Sequence, residues 1–176
     1  VEKIISHTKK RFDNPEIIVV DDGSRDNTRS VIYSIIDAHP NYPIWLNEQR
    51  PNFGKGATVN QGAMMSSGMR MLFTDADNST SIEQVDNLLS YMEKNNCDIT
   101  IGSRAIEGAN LEIRQPIWRE TMGRMFNVFV QALAVPGITD TQCGFKLFDM
   151  TNEKMDRVFG LQFVERFAFD VDILYL

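Results

Sequence analysis

Hydrophobic positions fall into two alternating patterns along the chain. Short apolar runs, EIIVV at 16–20, PIWLN at 43–47, MRMLF at 69–73 and DITIG at 98–102, read as strands. The β-branched run at 16–20 predicts a strand buried on both faces. Between the runs, apolar residues recur at helical spacing. Val31, Ile32, Ile35 and Ile36 share one side of a helix over 28–38, and a short helix is expected near 58–66. The stretch 80–96 carries an apolar stripe of Ile82, Val85, Leu88, Leu89 and Met92. Thr80 and Glu83 are spaced for a capping box at its start. A further helix is predicted over 118–134, with Trp118, Met122, Met125, Phe126, Phe129 and Leu133 as its apolar positions.

The ends are less regular. Residues 1–12 read as a helix containing Ile4 and Ile5, where a doubly wound domain normally opens with a strand. The tail holds DTQCGFKLFD (140–149), of which 140–146 reads as a polar turn between apolar segments. A short helix near 155–159 and an apolar segment at 167–176 follow. Alternation of strand and helix predicts an α/β fold: a mostly parallel, twisted, Rossmann-like sheet with helices on both faces. Ligands of such sheets sit at the carboxyl ends of the strands. Asp21–Asp22 and Asp75–Asp77 both fall there, which points to one shared site.

Composition narrows the function. The chain has 176 residues, 43% of them hydrophobic, enough for one domain with a core. The net charge of −6 argues against non-specific nucleic-acid binding, which needs a basic face. Cys97 and Cys143 lie far apart and form no C-x-x-C pattern, so they read as reduced thiols. His7 and His39 have no partner at ligand spacing, so a zinc site is not expected. The longest uncharged stretch, 125–139, contains Asn127, Gln131 and Pro136 and is too short to span a bilayer.

Four groups of residues carry candidate chemistry. In extended backbone, Asp75 and Asp77 point to the same side. Two such carboxylates suit a hard divalent ion, Mg2+ or Mn2+, that completes its shell with substrate phosphates. They suit equally a pair of solvated turn aspartates capping the next helix. Asp21 and Asp22, with Gly23 and Ser24, can accept hydrogen bonds from a ribose or a base, or form an ordinary turn. NFGKGA is not a P-loop. Its Lys55, in a loop, reaches either a phosphate or solvent. Arg104, Arg114, Arg119 and Arg124 form a basic cluster in an acidic chain. Arg119 and Arg124 stand about 140° apart around the predicted helix. Guanidinium forks suit phosphate oxygens, but Glu107, Glu112 and Glu120 are also near enough for surface ion pairs.

In order and spacing, EIIVVDDGSRDNT, NFGKGATVNQGA, LFTDADNST, IGSR, GITDTQCGFKLF and VERFAFDVDILY resemble family 2 glycosyltransferases of the GT-A fold. The resemblance runs through nearly the whole chain and is closest to the dolichyl-phosphate β-glucosyltransferases. DTQCGFKLF followed by ERFAFDV resembles the glucosyl rather than the mannosyl branch. The resemblance implies inverting transfer from a UDP-glucose donor to a dolichyl phosphate acceptor, with a divalent metal. It places Asp21 and Asp22 on the nucleoside, with Gly23, Ser24, Lys55 and Asp75 in the donor site. It makes Asp75 and Asp77 the metal ligands and Asp77 the more direct one. Arg104, Arg119 and Arg124 match the acceptor-phosphate positions, and Asp140 is a supporting residue near the acceptor. Asp170 and Asp172 are read as structural. RETMGRMFN (119–127) is similar to the R-x-x-x-S-R-x-x-N pattern of polyprenyl-phosphate glycosyltransferases, with Gly123 in place of serine.

The family's location is the endoplasmic reticulum membrane, with the catalytic domain on the cytoplasmic face, in the service of N-glycosylation. Its first strand, ending in a Pro-x-Tyr-Asn-Glu-like stretch, has no counterpart here. The expectation is one catalytic domain over 1–176, incomplete at both ends. Two alternatives stand beside this reading: a mannosyltransferase using GDP-mannose, and a non-catalytic nucleotide-sugar binding module.

Overall fold

The computed structural model describes residues 1–103, 135, 137–138, 140–166 and 168–176. The expected helix at 118–134 and Arg104, Arg114, Arg119 and Arg124 lie outside the described residues.

The chain opens with helix α1 (Glu2–Arg11), as its apolar spacing predicts. Ile5 is buried against Tyr42 and Ile44, and the Thr8 hydroxyl lies 2.6 Å from the Tyr42 hydroxyl. Strand β1 (Ile17–Asp21), helix α2 (Thr28–Ala38) and strand β2 (Ile44–Glu48) form a βαβ unit, with β1 and β2 parallel from Ile17↔Ile44 to Asp21↔Glu48. Ile17, Ile35 and Ile36 join the Ile5 cluster. Val31 lies at the edge of the α2 stripe and stays 56% exposed. β1 is half-buried rather than buried on both faces: four of its five residues keep partial exposure, and only Asp21 is fully covered. A two-stranded sheet covers its strands less completely than a wide one.

Helix α3 (Lys55–Met65) starts three residues earlier than its apolar pattern suggests. Two glycines flank its first residue, and they are there for contact. A Cβ on Gly56 would lie 2.3 Å from the Val164 carbonyl oxygen and 2.6 Å from Phe169 Cβ. Gly56→Ala is therefore expected to cost about 1–3 kcal/mol through overpacking, read as a lower urea midpoint with an unchanged slope.

Strand β3 (Arg70–Thr74), helix α4 (Gln84–Asn95) and strand β4 (Ile99–Ile101) follow the predicted order. The capping box does not form. α4 begins at Gln84, past Thr80, and the Ser81 hydroxyl takes the Glu83 carboxylate instead. The predicted stripe still packs, with Ile82, Val85 and Met92 buried.

The largest departure is at 140–149. The turn expected at 140–146 gives way at Phe145 to strand β5 (Phe145–Asp149), which lies between β3 and β4 and is antiparallel to both. The second sheet is therefore antiparallel through its centre, although β3 and β4 run the same way. Phe145 and Leu147 pack on the α4 side, while Phe148 packs on the opposite side against helices α5 (Glu153–Leu161) and α6 (Phe169–Tyr175). Burial on both faces holds this segment as a strand. Helices thus cover both faces, as expected, and the last apolar segment is the helix α6.

Candidate active site

The first aspartate pair ends β1. Asp21 is buried and accepts a bond from the Ser24 amide (3.1 Å) and one from Arg29 Nε (2.5 Å). The Arg29 guanidinium also donates to the Ser24 carbonyl (2.7 Å), and its Nε lies 3.3 Å from Glu48 Oε2. Burial pushes the Asp21 carboxyl up, but the bonds from Ser24 and Arg29 and the guanidinium charge outweigh it. The net result lies below the ordinary carboxylate range. Asp21 thus closes the turn, which Gly23 makes at φ +84°.

Asp22 faces the other way. Its two oxygens accept from the amides of Phe53 (2.7 Å) and Gly54 (2.8 Å), and its carbonyl accepts from Asn52 Nδ2 (2.9 Å). One carboxylate therefore fixes the loop that delivers Lys55 to the start of α3.

The second pair follows β3. Asp75 sits one residue past the strand, its amide bonded to the Gly144 carbonyl at 2.9 Å. A Cβ on Gly144 would lie 1.8 Å from Asp75 Oδ2, so glycine there leaves room for the Asp75 carboxylate in this position. Lys55 Nζ lies 2.8 Å from Asp75 Oδ1, with the rings of Phe73 and Phe169 5.5 and 5.9 Å away. Ala76 and Asp77 lie in a turn, so the two aspartates do not share a side through extended backbone as the spacing suggested. Asn78 at φ +55° completes the turn, and its amide reaches the Asp75 carbonyl at 3.4 Å. Asp77 is exposed and accepts from the Ser79 amide at 3.0 Å.

Among the described residues, no three His, Cys, Asp or Glu side chains converge as a complete metal cage. What is present is a partial set of two carboxylates at a solvent-facing strand end. That chemistry fits Mg2+ or Mn2+, which bind through one or two carboxylates and take the remaining oxygens from phosphates and water. Beside the loop held by Asp22, a cleft of about 310 Å³ is lined by Gln49, Phe53, Asn60, Gln61 and Gln162 among others, with no lysine or arginine. Among the described residues near the two strand ends, Lys55 is the side chain that carries positive charge beside Asp75.

Comparison with known proteins shows the family and the fold. Residues 1–153 match the model of the family described as glycosyl transferase family 2. The chain belongs to this family. It is 41% identical over 165 residues to the dolichyl-phosphate beta-glucosyltransferase of Dictyostelium discoideum, covering 92% of this chain and 50% of that protein. It is 36% identical over 166 residues to the Homo sapiens protein of the same name, covering 92% of this chain and 51% of that one. The chain spans about half the length of these curated relatives. A crystal structure of S. aureus TarS 1–349 superposes with a TM-score of 0.56 at 18% identity, covering 98% of this chain and 51% of that one. The α/β, GT-A-type reading of the fold stands on this likeness.

Behind the Asp75 site, this family 2 glycosyltransferase carries a buried ion pair that its sequence does not announce. Lys146, on β5, is 1% exposed. Its ammonium donates to the Cys143 carbonyl (2.6 Å) and to the Asp170 carboxylate. It lies 5.8 Å from the Phe73 ring centre. Phe73 therefore has an ammonium within 6 Å on both the Lys55 and the Lys146 side. Burial raises the Asp170 carboxyl above its ordinary value, Lys146 pulls it back in part, and the Asp75 charge raises it further. The one signal in the sequence is a lysine inside the apolar run FKLF. Asp172 is committed elsewhere, accepting from the amides of Phe163 (2.7 Å) and Val164 (2.9 Å). Asp140 is buried, at 5% exposure. Arg104, Arg119 and Arg124, the expected acceptor-phosphate residues, lie outside the described residues.

Proposed function

We propose that this glycosyltransferase moves glucose from UDP-glucose to dolichyl or another polyprenyl phosphate with inversion at the anomeric carbon. It would supply a lipid-linked sugar for protein N-glycosylation at the cytoplasmic face of the endoplasmic reticulum membrane. The observation that carries the reading is the line of contacts from Asp22 through Phe53 and Gly54 to Lys55 and Asp75. It joins the ends of two strands, and in this reading the Asp22 end would face the nucleoside and the Lys55–Asp75 end the phosphates. The names of the relatives support the choice of sugar and acceptor. Among the described residues, no helix is long and apolar enough to cross a membrane.

In this reading Asp75 and Asp77 hold Mg2+ or Mn2+ against the diphosphate. When bound, the ion supplies Lewis-acid stabilisation of the departing UDP. Asp21, Gly23 and Ser24 shape the turn beneath the nucleoside, and Asp22 fixes the loop that presents Lys55. Arg104, Arg119 and Arg124 offset the acceptor's charge and align it for in-line attack, with Asp140 supporting that side. A phosphate monoester is already ionised near neutral pH, so no strong general base is required.

Competing donors test the assignment. Turnover of UDP-glucose with dolichyl phosphate is expected to exceed that of GDP-mannose by about a hundredfold or more in kcat/KM. A preference for GDP-mannose would overturn the donor, and binding of UDP without turnover of either would favour a binding module.

A further inference from the structure

Asp75 already has a cation. The Lys55 ammonium sits 2.8 Å from its Oδ1, and the backbone that carries it is held firmly. Asp22 binds the amides of the two preceding residues, Phe53 and Gly54. On the following side, the Ala57 amide donates to the Glu165 carbonyl at 3.0 Å, and Gly56 has no room even for a methyl group. The side chain is different. It is 41% exposed, so the ammonium can leave Asp75 by rotating its own stem while α3 stays in place. The other nearby ammonium, Lys146, is 1% exposed and committed to Asp170. Among the described residues, Lys55 is the ammonium at Asp75 whose side chain is solvent-exposed and free to rotate away.

We infer that Lys55 is the resident counter-cation of Asp75, that a divalent ion must displace it, and that the displaced ammonium then binds the donor's diphosphate. The inference rests on the proposed metal role of Asp75 and Asp77. Its physics is direct. A divalent ion bound to Asp75 sits about 2.1 Å from a carboxylate oxygen, close enough to repel an ammonium on the same group. A metal arriving alone must break the ion pair and leave the ammonium without an anion. A metal arriving with a diphosphate brings the anion that receives the ammonium. Metal and donor thus bind cooperatively, and by linkage each raises the other's affinity by the same factor.

Electron paramagnetic resonance of free Mn2+ measures this without turnover, in the absence and presence of UDP. Lys55→Met keeps the stem over Phe73 and Phe169 and removes the charge, whereas Lys55→Arg keeps the charge. Without UDP, the methionine variant is expected to bind Mn2+ about fivefold more tightly than the unmodified chain, the factor an ion pair of this exposure contributes. The arginine variant gains nothing, and adding Asp75→Asn to Lys55→Met erases the gain. UDP should then increase Mn2+ affinity less in the methionine variant than in the unmodified chain. Thermal melting checks the fold, and Lys55→Gln repeats the test should the methionine variant melt early. Unchanged or weaker Mn2+ binding in both uncharged variants, with Asp77→Asn still lowering Mn2+ affinity of the UDP complex, overturns the displacement and leaves the metal assignment standing. If neither Asp75→Asn nor Asp77→Asn changes Mn2+ affinity in any state, both readings fall.

Discussion

Asp77→Asn is expected to lower glucosyl transfer by about a thousandfold or more while the chain melts within about 2 °C of the unmodified protein. The two halves of this expectation come from one geometry. Asp77 is exposed and makes one internal bond, accepting from the Ser79 amide. An asparagine side-chain carbonyl can accept that same bond, so the turn keeps its support. What asparagine lacks is the negative charge. With one of two carboxylates neutralised, the remaining Asp75 is also the one engaged by Lys55, and the site holds a divalent ion poorly. Turnover at saturating donor, with far-UV circular dichroism for the fold, measures both halves. Unchanged turnover would remove Asp77 from the mechanism.

Lys146→Met is expected to carry the largest stability cost, about 3–5 kcal/mol. Lys146 and Asp170 are both buried and answer each other's charge. Removing the ammonium leaves a buried carboxylate without its charge partner. The pH dependence has a definite sign. Burial already raises the Asp170 carboxyl above its ordinary value, and loss of Lys146 removes the main influence lowering it. A carboxyl whose folded pKa lies above its unfolded one favours the folded state when protonated. The variant therefore loses stability as pH rises through that raised value and regains it as pH falls towards the ordinary carboxylate range. Its urea midpoint should rise as pH is lowered from 7 towards the ordinary carboxylate range. Lys146→Met combined with Asp170→Leu should recover most of the loss, because an apolar pair satisfies the same space. A cost under about 1 kcal/mol for the single change would mean that water reaches the pair.

Much of the fold was legible because local pattern and burial agree. The β-branched and apolar runs at β1, β2, β3 and β4 form strands, and the stripe at 82–92 packs as its spacing predicts. Pattern failed where tertiary contact decides. The start of β5 reads as part of a polar turn because Lys146 puts a charge at a position that proves buried, and the distant Asp170 with the Cys143 carbonyl makes that lysine tolerable in a core. The start of α3 was hidden by Gly54 and Gly56, which look like loop residues and in fact allow close contact with the 164–169 segment. Thr80 and Glu83 have capping-box spacing, yet Ser81 is nearer to the carboxylate and takes it. In the site, the aspartates were visible from strand ends and spacing. Their internal partners, Arg29 on Asp21 and Lys55 on Asp75, are contacts between elements that periodicity does not encode.

Asp75 and Asp77 are proposed to hold a divalent ion against the donor's diphosphate. Anomalous scattering from Mn2+ in crystals grown with UDP tests it most directly. The prediction is an ion bonded to oxygens of both carboxylates and of the diphosphate, with the Lys55 ammonium off Asp75 and on a phosphate oxygen. A UDP complex in which Lys55 still holds Asp75 and the ion lies on other residues would contradict it.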